Sequence, residues 1–152
     1  MTAGDARAIA AWRYPDPYSF YDADRDPGDL AELLDPSGWG RSYFAVDDGD
    51  DGDDGLAGLF VFKLADDVAE IGLGLRPDLV GVGIGGSFVA AGLRFAAVNL
   101  GAQSYALAVA AFNHRAIAVY ERAGFREIRR YSHFTNGGLH EFVWMTRGPL
   151  TT

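Results

Sequence analysis

A glycine-dense stretch, GVGIGG from Gly81 to Gly86, lies between a strand-like run and a helix-like run. Upstream, Val68 to Leu75 (VAEIGLGL) reads as a strand with glycines at 72 and 74. Downstream, Ser87 to Leu100 carries Phe88, Gly92, Phe95 and Ala96 at helical spacing. A strand that passes through glycines into a helix leaves a row of backbone N–H groups at the helix N-terminus. The peptide dipoles favour negative charge there, and no side chain obstructs an anion. A phosphate or diphosphate is the natural guest; the plainer reading is a tight turn whose glycines serve packing alone.

The rest of the chain supplies more strands and helices. Gln103 to Ala111 reads as a strand apolar on both faces, hence central in its sheet. Arg115 to Ala123 reads as a short helix ended by Gly124. Phe125 to His133 and Leu139 to Thr146 are two strands joined by TNGG, in which Asn136-Gly137 signals a hairpin. Nearer the N-terminus, Asp5 to Arg13 is a helix with Asp5 as N-cap, and Asp26 to Leu34 is a second. Pro15 and Pro17 deny a helix between them. Ser42 to Asp47 and Gly55 to Leu64 read as strands. With 152 residues, no internal repeat and no linker, a single domain over residues 1–152 is expected.

Charge excludes several classes of function. The formal net charge is −8, but Asp47, Asp48, Asp50, Asp51, Asp53 and Asp54 account for six of those charges. The remainder is near neutral, with no basic stripe of the kind that displaces counterions from nucleic acid. The acidic run, residues 47–55, fits no calcium-loop register and reads as a flexible hairpin loop. There is no cysteine, which excludes a thiolate metal site and a cysteine nucleophile. Neither His133 nor His140 has metal-ligand spacing, so no metal is expected. No apolar run approaches the roughly 20 residues that cross a bilayer, and the N-terminus does not resemble a signal peptide. No membrane partner and a cytoplasmic location are the expectations.

Which phosphate ligand fits? No lysine precedes Ser87, so a Walker loop fails. Gly81, Gly83 and Gly86 spell GxGxxG, yet no acidic residue lies from Leu79 through Tyr120 to hold a ribose. LRPDLVGVGIGGSFV, followed by NHRAIAVYERAGF, instead resembles the two signature regions of the GNAT N-acetyltransferase superfamily. The first resembles its (Gln/Arg)-x-x-Gly-x-(Gly/Ala) loop over Val80, Gly81, Val82, Gly83, Ile84 and Gly85. The second resembles its Asn-x-x-Ala-x-x-hydrophobic-Tyr-x-x-x-Gly-Phe block over Asn113, Ala116, Val119, Tyr120, Gly124 and Phe125. Val80 departs from the family pattern, standing where Arg or Gln is usual. The resemblance covers Val68 to Arg147, about half of the chain.

The resemblance implies an α/β (α+β) fold of the GNAT acyl-CoA type, with a mixed, mostly antiparallel sheet flanked by helices. It implies acetyl-CoA as cosubstrate, its diphosphate on the main chain of Gly81, Val82, Gly83, Ile84, Gly85 and Gly86. Its pantetheine arm would pair with the main chain of Leu73 and Leu75, where Gly72 and Gly74 fit a strand that bends away from its neighbour. Asn113 reads as a helix N-cap, and by the resemblance its side chain also touches CoA. Tyr120 occupies the family's general-acid position, since a phenol stays protonated at neutral pH and can protonate a leaving thiolate. Its plainer role is core packing.

Glu70 is the lone carboxylate of its strand. It is a candidate base, since burial would favour proton uptake, or else an edge carboxylate facing water. His133 and His140 could substitute. The aromatics Trp12, Tyr14, Tyr18, Phe20 and Tyr21 fall where the superfamily varies to shape its acceptor pocket. The expected reaction is direct acetyl transfer to a primary amine, on a small molecule or a protein N-terminus. The rival is a non-catalytic acyl-CoA binding or sensing module on the same fold. A homodimer is a family-level expectation.

Overall fold

The computed structural model describes residues 1–40, 42–47 and 55–150. In chain order the elements are α1 (Ala3–Ala10), α2 (Pro27–Leu34), β1 (Tyr43–Asp47), β2 (Leu56–Ala65), β3 (Val68–Leu75), α3 (Gly85–Leu100), β4 (Ser104–Ala110), α4 (His114–Arg122), β5 (Arg126–Thr135) and β6 (Gly138–Arg147). Short 3-10 turns punctuate the segments around α2 and after β3. The strands form one sheet in the order β1-β2-β3-β4-β6-β5. β1–β2 and β4–β6 are antiparallel and β3–β4 is parallel. A parallel pair needs a crossover, and α3 provides it. The expected mixed sheet with flanking helices is therefore found, with β4 inside it. Positions 48–54, which carry most of the acidic run, lie outside the described residues.

Two compact units interleave along the chain. One consists of Met1–Val61, Leu73–Val80 and Thr135–Gly138; the other of Phe62–Gly72, Gly81–Phe134 and Leu139–Thr152. In the first, α1 starts one cap earlier than its sequence suggests. Thr2 is the N-cap, and its side chain and that of Asp5 bond each other's backbone N–H groups as a capping box. Asp5 is thus the third helical residue, correcting its assignment as the cap. Asp26 caps α2 and Pro27 opens it, where a missing N–H costs nothing. Ala6 and Ile9 of α1 bury against Leu33 of α2, with Trp12 and Trp39 packed alongside. The hairpin turn at Asn136-Gly137 belongs to this unit, both residues at positive φ (53° and 78°) as the dipeptide demands.

The second unit is built on β4, whose Tyr105, Leu107 and Val109 are buried. Fully burying such a side chain contributes about 2 kcal/mol. α3 buries Phe88, Val89, Gly92, Leu93 and Ala96, one stripe at helical spacing, and Phe95 stacks on Phe62 of β2 at 5.9 Å. Gly124 ends α4 at φ 98°, and Arg147 closes that end by donating from Nε to the Ala123 carbonyl at 2.7 Å. Val143 and Met145 of β6 are fully buried, so the alternate residues Phe142 and Trp144 point to the other face.

Candidate active site

The glycine loop has the backbone its sequence requires. Gly81 and Gly83 stand at φ 79° and 89°, a region that side chains rarely adopt. α3 begins at Gly85 with no side-chain cap, and its first bond runs from the Phe88 N–H to the Ile84 carbonyl at 2.9 Å. The amides of Gly85, Gly86 and Ser87 therefore precede the helical ladder. A Cβ built at Gly83 or Gly86 would meet nothing within 4 Å, and one at Gly81 only the Arg115 guanidinium, at 3.4 Å. Open space beside main-chain donors, with a cation at its edge, suits a diphosphate.

α4 supplies that cation. Asn113 caps the helix, its Oδ1 accepting from the Ala116 N–H at 3.1 Å, which bears out the cap reading. Arg115 then reaches Gly81, and Val119, one turn on, lies 3.5 Å from a Cβ at Gly85. Sequence reading missed Arg115, although it sits at i−4 from a motif valine and so shares its face. Tyr120 is buried and meets Phe125 edge-on at 6.1 Å, so its ring does pack in the core.

Main-chain direction on β3 can be followed from one bond. The Arg76 N–H donates to the Ala57 carbonyl of β2 at 2.8 Å. Consecutive strand residues turn their main-chain groups to opposite sides, so Leu75 and, two residues earlier, Leu73 turn theirs away from β2. The Tyr14 hydroxyl donates to the Leu75 carbonyl at 2.6 Å. Of the aromatic stretch, Tyr14 thus meets a candidate cofactor residue, whereas Trp12 packs into the helical core. In the second unit the parallel ladder joins only Val68, Ala69 and Glu70 to Ser104, Tyr105 and Ala106. β3 continues past Glu70 and β4 continues to Ala110.

Glu70 is exposed, the alternative in which its carboxylate faces water rather than the buried one. It sits on a sheet face on which Ala108 is exposed while Ala106 and Ala110 are buried. Its partner is Ala106, which pairs with Thr146; Ala108 pairs with Trp144 and Ala110 with Phe142. Tyr131 of β5 stacks on Phe142 at 6.0 Å, and His133 meets the same ring edge-on at 5.8 Å. The Arg129 guanidinium lies 4.9 Å from the Tyr131 ring centre and 6.0 Å from that of Trp144. Burial first, and the Glu70 charge in part, raise the Tyr131 phenol, while Arg129 opposes them. This face was not read from sequence, though the alternation in FVWM carried its signal. Among the described residues no cluster of His, Asp and Glu is placed to hold a metal, and no helix is long and apolar enough to cross a membrane.

Comparison with known proteins identifies the family. The family model of the acetyltransferase (GNAT) domain matches residues 1–126, and the chain belongs to that family of acetyl-CoA-dependent N-acetyltransferases. No curated protein matches it. Its fold is similar to that of a spermidine N-acetyltransferase from Vibrio cholerae in complex with CoA and spermine. That likeness has 21% identity and a TM-score of 0.75, over 98% of this chain and 92% of that one. A dodecameric structure of spermidine N-acetyltransferase from Vibrio cholerae is similar at 23% identity and a TM-score of 0.69, over 97% and 90%.

Proposed function

We propose that this acetyltransferase moves acetyl directly from acetyl-CoA to a primary amine. The observation that carries the reading is the glycine loop: positive-φ glycines, uncapped α3 amides, open space and the Arg115 guanidinium in one place. The diphosphate of CoA sits on the main chain of residues 81–86, with Arg115 and Asn113 beside it. Backbone amides supply most of this grip, which is why Val80 can stand in place of Arg or Gln. The main-chain groups of Leu73 and Leu75 take the pantetheine arm. The Leu75 carbonyl already serves Tyr14, which leaves its N–H for the cosubstrate.

The chemistry follows from proton accounting. An ammonium has no lone pair, so Glu70, directly or through water, accepts one proton from the acceptor. The free amine attacks the thioester carbonyl, the C–N bond forms, and the C–S bond breaks with its electron pair on sulfur. Tyr120 gives its proton to that thiolate, and the surplus N–H proton of the newly acylated nitrogen leaves through water to restore the Tyr120 phenol. No enzyme nucleophile is needed. The acceptor is a small molecule or a protein N-terminus. The proposed setting is the cytoplasm. Assembly is proposed on the example of the dodecameric neighbour, a homodimer being the smallest symmetric form.

Calorimetry with CoA, followed by thiol release with a panel of amines, tests this reading. Binding together with amine-dependent release supports transfer. Tight binding with no release on any amine would convert the protein into a sensing module, and no binding would remove the CoA site altogether.

A further inference from the structure

The sheet face that opens at Ala108 carries two opposite charges, one to either side of that residue. Glu70 stands on β3 and Arg129 on β5, and both are exposed. Among the described residues neither is in an ion pair. Ala108 lies mid-strand in the interior strand β4, a position normally covered, yet it is exposed. Its cross-strand partner Trp144 and the ring of Tyr131 wall the side nearer Arg129. Strands lie about 4.8 Å apart, so β3 and β5, three steps apart in the sheet, frame a space wide enough for a small ligand between long side chains.

Arg129 holds its guanidinium carbon 4.9 Å from the Tyr131 ring centre and is exposed, so its N–H groups are available to a carboxylate as an anion fork. A polyamine would bring a second ammonium beside that guanidinium and be repelled. A neutral apolar amine would leave the fork unused.

We propose that the acceptor is a zwitterionic primary amine with a flat body, its ammonium toward Glu70, its anionic group toward Arg129, and its body over Ala108 against Trp144 and Tyr131. The proposal rests on the transfer reading above and narrows its acceptor class. It sets this chain apart in substrate from the spermidine enzymes whose fold it shares.

The test uses the full chain and thiol release, with amine pairs that differ only in an anion across the ring from the amine: 4-(aminomethyl)benzoate against benzylamine, 4-(2-aminoethyl)benzoate against phenethylamine, and spermidine as polycation. A charge-assisted fork makes kcat/KM for the benzoates about tenfold to a hundredfold higher than for the amines without the anion. Spermidine is expected to be the poorest acceptor. Arg129→Gln collapses the ratio toward one and Arg129→Lys retains part of it, with the melting temperature and the CoA Kd reporting that each variant is folded. Thiol release with no preference for the anionic partner, or a ratio that survives Arg129→Gln, overturns the proposal while leaving transfer intact. No release with any amine overturns transfer and this inference together.

Discussion

The Tyr14 hydroxyl donates to the carbonyl of Leu75 at 2.6 Å, a bond between residues 61 apart in sequence. The same peptide unit gives its N–H, that of Arg76, to Ala57 at 2.8 Å. The last peptide plane of β3 is therefore held at both ends, in a strand whose Gly72 and Gly74 supply no side-chain packing of their own. The segment that holds it is itself fixed. The Tyr14 N–H donates to Asp22 at 2.9 Å, and Asn136 donates to the Phe20 carbonyl at 2.6 Å. Tyr14→Phe deletes the donor and leaves the carbonyl unserved, an expected loss of about 1 kcal/mol. The prediction is a small fall in melting temperature with a several-fold fall in kcat, read by thermal melts and thiol release.

That bond also has a pH range. Burial first, then the Asp22 carboxylate, push the Tyr14 phenol up to about 12, from an ordinary value of 10.0. The protonated form is the one the fold favours. Its contribution to stability is complete below the unfolded value and disappears as pH rises through about 12. A shift of this size outweighs the loss assigned to Tyr14→Phe, so alkaline melts of the two proteins are expected to cross between 10.0 and about 12, wild type becoming the less stable.

At the acid end, Asp26 gives the opposite sign. The Asp29 amide first, then the Thr135 hydroxyl, hold its carboxyl below the usual carboxylate range. The stability this gives is present above the unfolded value and is lost as pH falls through the lower folded one. Asp26→Asn is expected to flatten the acid limb of the stability profile, which urea titrations from pH 7 to pH 3 would check.

Tyr120→Phe keeps the buried ring against Phe125 and removes only the proposed proton donor. The expected result is a loss of about 100-fold in kcat with an unchanged CoA Kd, since a general acid contributes to the chemical step alone. A variant within twofold of wild type would return Tyr120 to the core.

How much could be read from the chain depended on how far apart the cooperating residues lie. β3 was placed residue for residue, because its limits are set by local turn signals and composition. The Asn136-Gly137 turn was equally local. At α1 the sequence points to Asp5 as the cap, whereas the cap is Thr2 and Asp5 is the far end of a reciprocal box that neither residue reveals alone. The face that opens at Ala108 was out of reach. Glu70, Ala108, Arg129 and Trp144 come from four strands, and only the registers across the sheet bring them onto one surface. Glu70 shows the same limit from another side, since a lone carboxylate in an apolar strand does not reveal how open its face is.

The central claim is that main-chain amides of residues 81–86 seat the diphosphate of CoA. An amide-resolved NMR titration of the 152-residue chain with CoA addresses it directly. The account predicts saturable shifts largest at Gly81, Gly83, Gly85 and Gly86, with Arg115 Nε moving at the same ligand concentrations. Shifts confined to other parts of the chain, or none at saturating CoA, would contradict it.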